Sequence, residues 1–223
     1  MQYHPASSHS AAIIGASGYV GAELSRLVQQ HPALSLFGCY VSEHSSDAGT
    51  LLSDLYPQYA HCLKTSLQGL SDNEKFTIKR QADTVFLCTE HSISVALAPE
   101  FLEAGLKVID LSGGFRLDAT EDYPQFYGFE HKQAHWLRQA VYGLAEWYPH
   151  EIAEAQLVAV PGCYPTASLM ALLPLKKAGL LKSSKVIINE VPGVTGAGRK
   201  ASLATQGAEL SLQAYGLFEH RHT

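Results

Sequence analysis

The feature that most constrains the fold is a glycine-rich turn close to the start of the chain. It reads Gly15-Ala16-Ser17-Gly18-Tyr19-Val20-Gly21 and directly follows an apolar stretch, Ala11–Gly15. Residues Gly21–Gln30 then carry apolar side chains at helical spacing, and Leu34–Val41 is a second apolar stretch. A strand, a glycine turn, a helix and a strand within about 30 residues is the order of a βαβ unit with parallel strands.

A turn of this kind suits a dinucleotide. Small residues let the backbone approach a pyrophosphate, and the helix N-terminus behind the turn binds its negative charge. The spacing is GxxGxxG rather than the stricter GxGxxG, but the βαβ context makes the motif credible. The predicted cofactor contacts in the turn are Gly15, Ser17, Gly18, Tyr19, Val20 and Gly21.

Further apolar stretches continue the alternation of strand and helix. Thr84–Cys88 and Lys107–Leu111 predict two buried strands, with a helix from about residue 92 to 104 between them. This alternation predicts an α/β domain with a parallel sheet. The aromatic-rich residues 119–150 are interpreted as an excursion that returns to the sheet at Leu157–Val160.

A cysteine lies directly before an apolar helical run. Cys163 stands within the segment VPGCYPT, and Ala167–Leu175 follows as a predicted helix. A helix N-terminus carries partial positive charge and free N–H groups, and both favour the nucleophilic thiolate. We therefore predict Cys163 as a nucleophile for redox chemistry at an acyl carbon held as a thioester. The alternative is a buried structural cysteine, the more common fate of this residue type.

The change of pattern near the cysteine predicts two domains. Residues 1–160 are expected to form a Rossmann-type nucleotide-binding domain. Residues 161–223 contain separated apolar stretches, Val186–Ile188 and Leu210–Leu212, and predict the start of an α+β catalytic domain. A chain of 223 residues has enough material for this arrangement.

Composition argues against several classes of protein. The net charge of −5, with no long basic block, gives no reason to expect a nucleic-acid partner. No run approaches the roughly 20 apolar residues that a membrane helix needs. The four cysteines lack metal-site or disulfide-scaffold spacing, which favours a reducing compartment and no metal. Residues 1–10 do not read as a signal peptide, so a soluble cytoplasmic protein is expected.

The turn after the second strand indicates which dinucleotide is preferred. A strict NAD binder usually places an Asp or Glu there, on the ribose 2′-hydroxyl. Here the segment 42–46 reads SEHSS, whose hydroxyls and potentially cationic His suit a 2′-phosphate. We therefore predict NADP as the cofactor, with Ser42 and Ser45 among its ligands. The alternative is an ordinary serine-rich turn, and Glu43 is the residue that favours NAD.

Arg116 is a candidate for anion binding. It ends the segment DLSGGFR, which follows a predicted strand, and ligands of open parallel sheets bind beyond the carboxyl ends of strands. A planar guanidinium suits phosphate or carboxylate. The alternative is a surface arginine paired with Asp118 or Glu121. Ser112, in the same segment, is predicted to contact the cofactor.

Two later segments add further candidates. Arg199 follows the glycines of GVTGAGRK, where Gly196 permits close approach to a flat ring such as nicotinamide, unless this is an ordinary loop. The segment His220-Arg221-His222 would place both histidines on one face of a strand. A thiolate enzyme needs an acid or base with a pKa near neutrality, which His supplies, although a frayed tail is the alternative.

Taken together, these segments resemble the N-acetyl-gamma-glutamyl-phosphate reductase family of arginine biosynthesis. The resemblance spans essentially the whole chain and rests on GASGYVG, SEHSSDAG, DLSGGFR, VYGLAEW, VPGCYPT, GVTGAGRK and HRHT, of which VPGCYPT is the most specific. It implies a reversible reductive dephosphorylation in which Cys163 attacks an acyl phosphate and NADPH delivers hydride to the thioester. It also implies that His222, or less favourably His220, moves the proton on the substrate oxygen.

The resemblance carries further expectations. Arg116 and Arg199 would hold the phosphate or carboxylate of the substrate, with His220 beside them, and inorganic phosphate would be the second product. Members of the family continue past the HRHT segment, so residues 161–223 would be a C-terminally truncated part of the catalytic domain. A homo-oligomer is expected. The alternatives are an enzyme like aspartate-semialdehyde dehydrogenase, or an inactive fragment that still binds nucleotide.

Overall fold

The computed structural model describes residues 9–182, 185–191, 193–202 and 205–207. The strands are β1 His9–Ile14, β2 Leu34–Ser42, β3 Leu67–Leu70, β4 Thr84–Leu87, β5 Lys107–Asp110, β6 Val141–Tyr142 and β7 Leu157–Ala159. The helices are α1 Tyr19–Gln30, α2 Leu52–Leu55, α3 Asp72–Gln81, α4 His91–Leu102, α5 Tyr123–Tyr127, α6 Ala134–Leu137, α7 Pro149–Glu154 and α8 Cys163–Lys177.

The strands form one parallel sheet in the order β3-β2-β1-β4-β5-β7-β6. From β1 the chain adds β2 and β3 outward on one side, then crosses back to place β4 and β5 on the other side. The direction of winding therefore reverses between β1 and β4. In open parallel sheets, ligands bind outside the carboxyl ends of the strands at such a switch point. The predicted α/β class and parallel sheet are confirmed.

The core lies on both faces of this sheet because side chains alternate along each strand. Ala12 and Ile14 of β1 face the cluster that includes Phe101 of α4. Their neighbours Ala11 and Ile13 face the opposite cluster, together with Ala22 and Val28 of α1. All four of the β1 residues are almost completely buried, so β1 is covered by helices on both sides. That explains why Ala11–Ile14, the buried part of β1, is apolar without a gap.

Several elements were not predicted from the sequence, among them β3 and α3. Strand β3 is short and has only Leu67 buried, so its apolar pattern is weak. Helix α3 has only Ile78 buried, but the residues at its start match a known helix-capping sequence. The Ser71 hydroxyl accepts a hydrogen bond from the Glu74 N–H at 3.3 Å, and a Ser followed three residues later by Glu is a capping-box sequence.

The aromatic-rich residues 119–150 differ from the predicted excursion, because they contribute to the sheet. They contain α5, α6, the start of α7 and the edge strand β6. Val141 and Tyr142 of β6 pair in parallel with Val158 and Ala159 of β7. A strand of two residues is too short to show any alternation, which is why its pattern is not legible in the sequence.

The chain after β7 continues with α8, which begins at Cys163, four residues before the predicted helical run. Among the described residues that follow, Val186–Ile188 is irregular and exposed, and a short 3₁₀ turn spans Val194–Ala197. The apolar stretch Leu210–Leu212 lies outside the described residues. No helix in the described part of the chain is long and apolar enough to cross a membrane.

Candidate active site

The glycine turn is tied to the sheet at Gly15. The N–H groups of Gly15 and Ala16 both donate to the Tyr40 carbonyl of β2, at 2.8 and 3.0 Å. Gly15 has φ +86°, which disfavours any other residue, and an added Cβ would lie 2.3 Å from the Cys88 carbonyl oxygen. Glycine is therefore required here by the packing of the turn against β2 and β4.

The other two glycines of the turn differ in what they permit. A Cβ at Gly21 would lie 2.3 Å from the Gly15 carbonyl oxygen, so Gly21 lets α1 pack against the turn. A Cβ at Gly18 would meet only the Gly15 oxygen, at an ordinary 3.5 Å. The protein's own packing does not require glycine at position 18. The space above it is open and lies beside the free N–H groups at the start of α1, and its use by a cofactor pyrophosphate stays a prediction.

Tyr56, which sequence reasoning missed, supports the glycine turn through a hydrogen bond to its backbone. Tyr56 is nearly buried, and its hydroxyl donates to the Ser17 carbonyl at 2.8 Å. Its ring meets the Tyr19 ring edge to face, with centroids 6.2 Å apart. The sequence carries no motif for this contact, because Tyr56 lies 39 residues from Ser17.

The turn after β2 is held by hydrogen bonds among its own residues. The Ser45 N–H donates to the Ser42 carbonyl at 2.9 Å, and the Asp47 N–H donates to the Ser45 hydroxyl at 3.2 Å. The Ser42 and Glu43 side chains are exposed. The turn lies at the carboxyl end of β2, the edge at which nucleotide is expected, and the roles of Ser42 and Ser45 as cofactor ligands stay predictions.

The segment after β5 is organised by a buried carboxyl group. Asp110 accepts hydrogen bonds from the N–H and the hydroxyl of Ser112, at 3.0 and 2.9 Å. The Ser112 hydroxyl accepts in turn from the Gly114 N–H at 2.9 Å. Burial raises the pKa of Asp110 above its ordinary value. The Ser112 side chain is therefore engaged within the loop, and its contact with a cofactor stays a prediction.

Arg116 reaches across the carboxyl ends of two strands. Its Nε donates to the Val160 carbonyl at 2.6 Å and one Nη donates to the Leu111 carbonyl at 2.8 Å. Both hydrogen bonds are to main-chain carbonyls rather than to Asp118 or Glu121. Arg116 thus joins the segment after β5 to the residue that leads into Pro161-Gly162-Cys163, and its role in substrate binding stays a prediction.

Cys163 is the first residue of α8, and its side chain is exposed. The first turn is held by Thr166, whose N–H and hydroxyl both donate to the Gly162 carbonyl, at 3.0 and 2.8 Å. The sequence predicts the helix-capped position of this cysteine correctly. The alternative of a buried structural cysteine is not what the structure shows.

The cysteine lines a pocket of about 420 Å³. Gly196 lines the same pocket as Cys163, and its predicted contact with the cofactor stays a prediction. The pocket is also lined by Glu190, which sequence reasoning missed. Glu190 accepts a hydrogen bond from the Ser168 hydroxyl of α8 at 2.6 Å. An isolated acidic residue in an apolar run, INEVPG, was the only sign of it in the sequence.

Other predicted residues lie elsewhere. Arg199 lines a separate pocket of about 220 Å³ together with Tyr19 of the glycine turn. His220 and His222 lie outside the described residues, so their predicted roles are not tested. Among the residues that the structure describes, no group of three or more His, Cys, Asp or Glu side chains could hold a metal ion.

The parallel sheet and the glycine turn at its switch point define a Rossmann-type nucleotide-binding protein. Residues 10–155 match the family model for the semialdehyde dehydrogenase NAD binding domain, and residues 163–223 match the model for the semialdehyde dehydrogenase dimerisation domain. The chain belongs to the semialdehyde dehydrogenase family. The predicted domain boundary at residue 160 lies between the two matches and stays a prediction.

Two similar proteins carry the name of one kind of reductase. The chain is 79% identical over 223 residues to the N-acetyl-gamma-glutamyl-phosphate reductase of Idiomarina loihiensis, covering 100% of this chain and 65% of the relative. It is 54% identical over 211 residues to the enzyme of that name from Aeromonas hydrophila, covering 94% of this chain and 63% of the relative. The predicted family resemblance is confirmed, and the chain spans just under two thirds of the length of these relatives.

A solved structure shares the fold. Aspartate semialdehyde dehydrogenase II from Vibrio cholerae superposes with a TM-score of 0.55 at 22% identity, over 77% of this chain and 47% of that one. At this identity the likeness shows the fold alone, so it does not favour that enzyme's substrate for the present chain.

Proposed function

We propose that this chain carries the nucleotide site and the nucleophile of an N-acetyl-gamma-glutamyl-phosphate reductase. The enzyme would use NADPH to reduce N-acetyl-glutamyl 5-phosphate to N-acetyl-glutamate 5-semialdehyde. The observation that carries the proposal is the exposed Cys163 at the start of α8, in a pocket shared with Gly196. The names of the two reductase relatives support the choice of substrate.

Cys163 would act on the acyl carbon. Its thiolate forms a C–S bond while the bond from the acyl carbon to the phosphate oxygen breaks, and inorganic phosphate leaves with a proton. The N–H groups and partial positive charge at the start of α8 stabilise the thiolate. Bound NADPH supplies the hydride that reduces the thioester. Breakage of the C–S bond then releases the semialdehyde and restores the Cys163 thiolate.

Other residues of this chain would orient the reactants. The glycine turn would hold the pyrophosphate above Gly18, and Gly196 would let the nicotinamide approach Cys163. Arg116 would keep the segment before the cysteine in place through the Val160 carbonyl. We assign the acid–base role to His222, with His220 as the alternative, on the family resemblance alone.

The proposed partners are small molecules and further copies of the chain. The acyl phosphate, the semialdehyde and inorganic phosphate would be the substrates of the reversible reaction. A match to a dimerisation domain supports a homo-oligomer. The four cysteines are all free, which supports a reducing compartment, and we propose the cytoplasm.

The test is a phosphate-dependent assay on the purified protein that follows NADPH formation from N-acetyl-glutamate 5-semialdehyde. Cys163→Ser is expected to abolish turnover while leaving NADP affinity within about threefold, because the serine is not an activated nucleophile. Cys62→Ser, which removes another free cysteine outside the pocket, is the matched control and should retain activity.

Three results would contradict the proposal in different ways. Substantial turnover in Cys163→Ser removes the thioester step. Faster turnover with aspartate semialdehyde favours the aspartate-semialdehyde dehydrogenase alternative. Absence of any turnover while NADP still binds favours the inactive nucleotide-binding fragment.

A further inference from the structure

Arg199, which the sequence assigned to the substrate, forms an ion pair with the turn after β2. Its Nη2 meets the Asp47 carboxylate at 2.5 Å, although the two residues are 152 positions apart. Asp47 belongs to the turn that follows β2, and its side chain is only 15% exposed. The ion pair therefore brings an arginine from the far part of the chain onto the cofactor side of the sheet.

Arg199 also lies near Tyr56. Burial raises the pKa of Tyr56, and the positive charge of Arg199 opposes that rise. Tyr56 in turn holds the Ser17 carbonyl of the glycine turn. Arg199 thus contacts the turn after β2 directly and lies near the side chain that supports the glycine turn. The pocket beside it, of about 220 Å³, is lined by Tyr19 and by a second cation, Lys200.

The two segments that Arg199 joins have a defined chemical role in dinucleotide-binding folds. The residue after β2 meets the adenosine ribose, where an acid binds the 2′-hydroxyl of NAD and a nearby arginine accommodates the 2′-phosphate of NADP. Asp47 alone would repel a phosphate. The pairing with Arg199 neutralises the charge of Asp47. A guanidinium has five N–H donors, so Arg199 can bind Asp47 and still donate to a phosphate.

We propose that Arg199, held by Asp47, binds the 2′-phosphate and selects NADP over NAD. The inference rests on the proposed function only in that the chain binds a dinucleotide at the glycine turn. It replaces the sequence-based assignment of Arg199 to the substrate. The two assignments are separable, because one predicts a change in cofactor affinity and the other a change in the KM of the acyl substrate.

The experiment measures NADP and NAD binding to the purified protein by calorimetry, without substrate. Arg199→Gln is expected to weaken NADP about tenfold or more and to change NAD by about twofold at most. Adding Asp47→Asn to this variant removes the unpaired carboxylate and should recover about threefold or more of the lost NADP affinity. Arg80→Gln is the control, since Arg80 is an exposed cation stacked on Phe76 of α3.

Arg199→Lys keeps the charge and loses the planar fork, so its NADP affinity should lie between those of wild type and Arg199→Gln. This variant decides the matter should Arg199→Gln fail to fold. Equal losses for NADP and NAD, or unchanged NADP binding in both Arg199 variants, overturn the inference and leave the reductase proposal standing. Failure of the wild-type protein to bind either nucleotide overturns both.

Discussion

The pattern of hydrogen bonds around His131 defines its protonation state. The buried ring donates from Nε2 to the Gly114 carbonyl at 2.8 Å and accepts at Nδ1 from the Gln133 N–H at 3.2 Å. Only a neutral imidazole with its proton on Nε2 can make both bonds. Burial lowers the pKa of His131 below its ordinary value, in agreement with that neutral form. The loop that carries Arg116 is thus supported by a histidine that must stay uncharged.

Acidification should therefore destabilise the protein through His131. The unfolded chain takes up a proton as pH falls through the ordinary histidine pKa, whereas the folded state resists it, so the free energy of unfolding decreases below about pH 6.5. His131→Gln, which does not titrate, should show a smaller fall in melting temperature between pH 7.5 and 5.5.

The control for this measurement is His135→Gln, which replaces an exposed histidine four residues away. It should retain the wild-type pH dependence. An unchanged pH dependence in His131→Gln would assign the effect to other histidines.

The glycine turn and α1 act as one element, in which we expect Gly21 and Gly18 to be needed for different reasons. Gly21 provides room for the turn itself, whereas the space above Gly18 is open. Gly21→Ala should destabilise the protein by about 1–3 kcal/mol, because its methyl group overlaps the backbone of Gly15.

Gly18→Ala should instead leave stability within about 0.5 kcal/mol and weaken NADP binding about tenfold, since the methyl group enters the space proposed for the pyrophosphate. Thermal melts and NADP titrations of both variants separate the two effects. Equal NADP affinity for wild type and a folded Gly18→Ala variant would show that the pyrophosphate does not lie there.

Arg116 connects elements of the molecule as a whole, because it links the segment after β5 to the segment that leads from β7 into α8. Lysine keeps the charge but cannot make both bonds from one planar group. Arg116→Lys is therefore expected to reduce kcat about tenfold while NADP affinity stays within about twofold. A variant that changes only the substrate KM would favour the predicted role of Arg116 as a direct substrate ligand.

Local patterns made much of the nucleotide-binding half of the fold predictable. The unbroken apolar run of β1, the glycine spacing of residues 15–21 and the position of Cys163 before α8 all depend on near neighbours. The edge strand β6 and the contribution of Tyr56 to the glycine turn were not predictable. Strand β6 has only two residues, too few to show a hydrophobic period. Tyr56 acts through a hydrogen bond to Ser17, which lies 39 residues away in the sequence.

The sequence by itself determined the parallel α/β fold, the glycine turn and the helix-capped cysteine, because side-chain periodicity and turn chemistry act over a few residues. Only the tertiary structure decided which distant groups meet. Arg199 contacts Asp47 rather than Cys163, and Arg116 binds the carbonyl of Val160, the residue that follows β7. Both contacts depend on the order of the strands and on the paths of the loops. Contacts between residues more than 100 positions apart leave no period in the sequence, which is why the partner of Arg199 appears only in the folded chain.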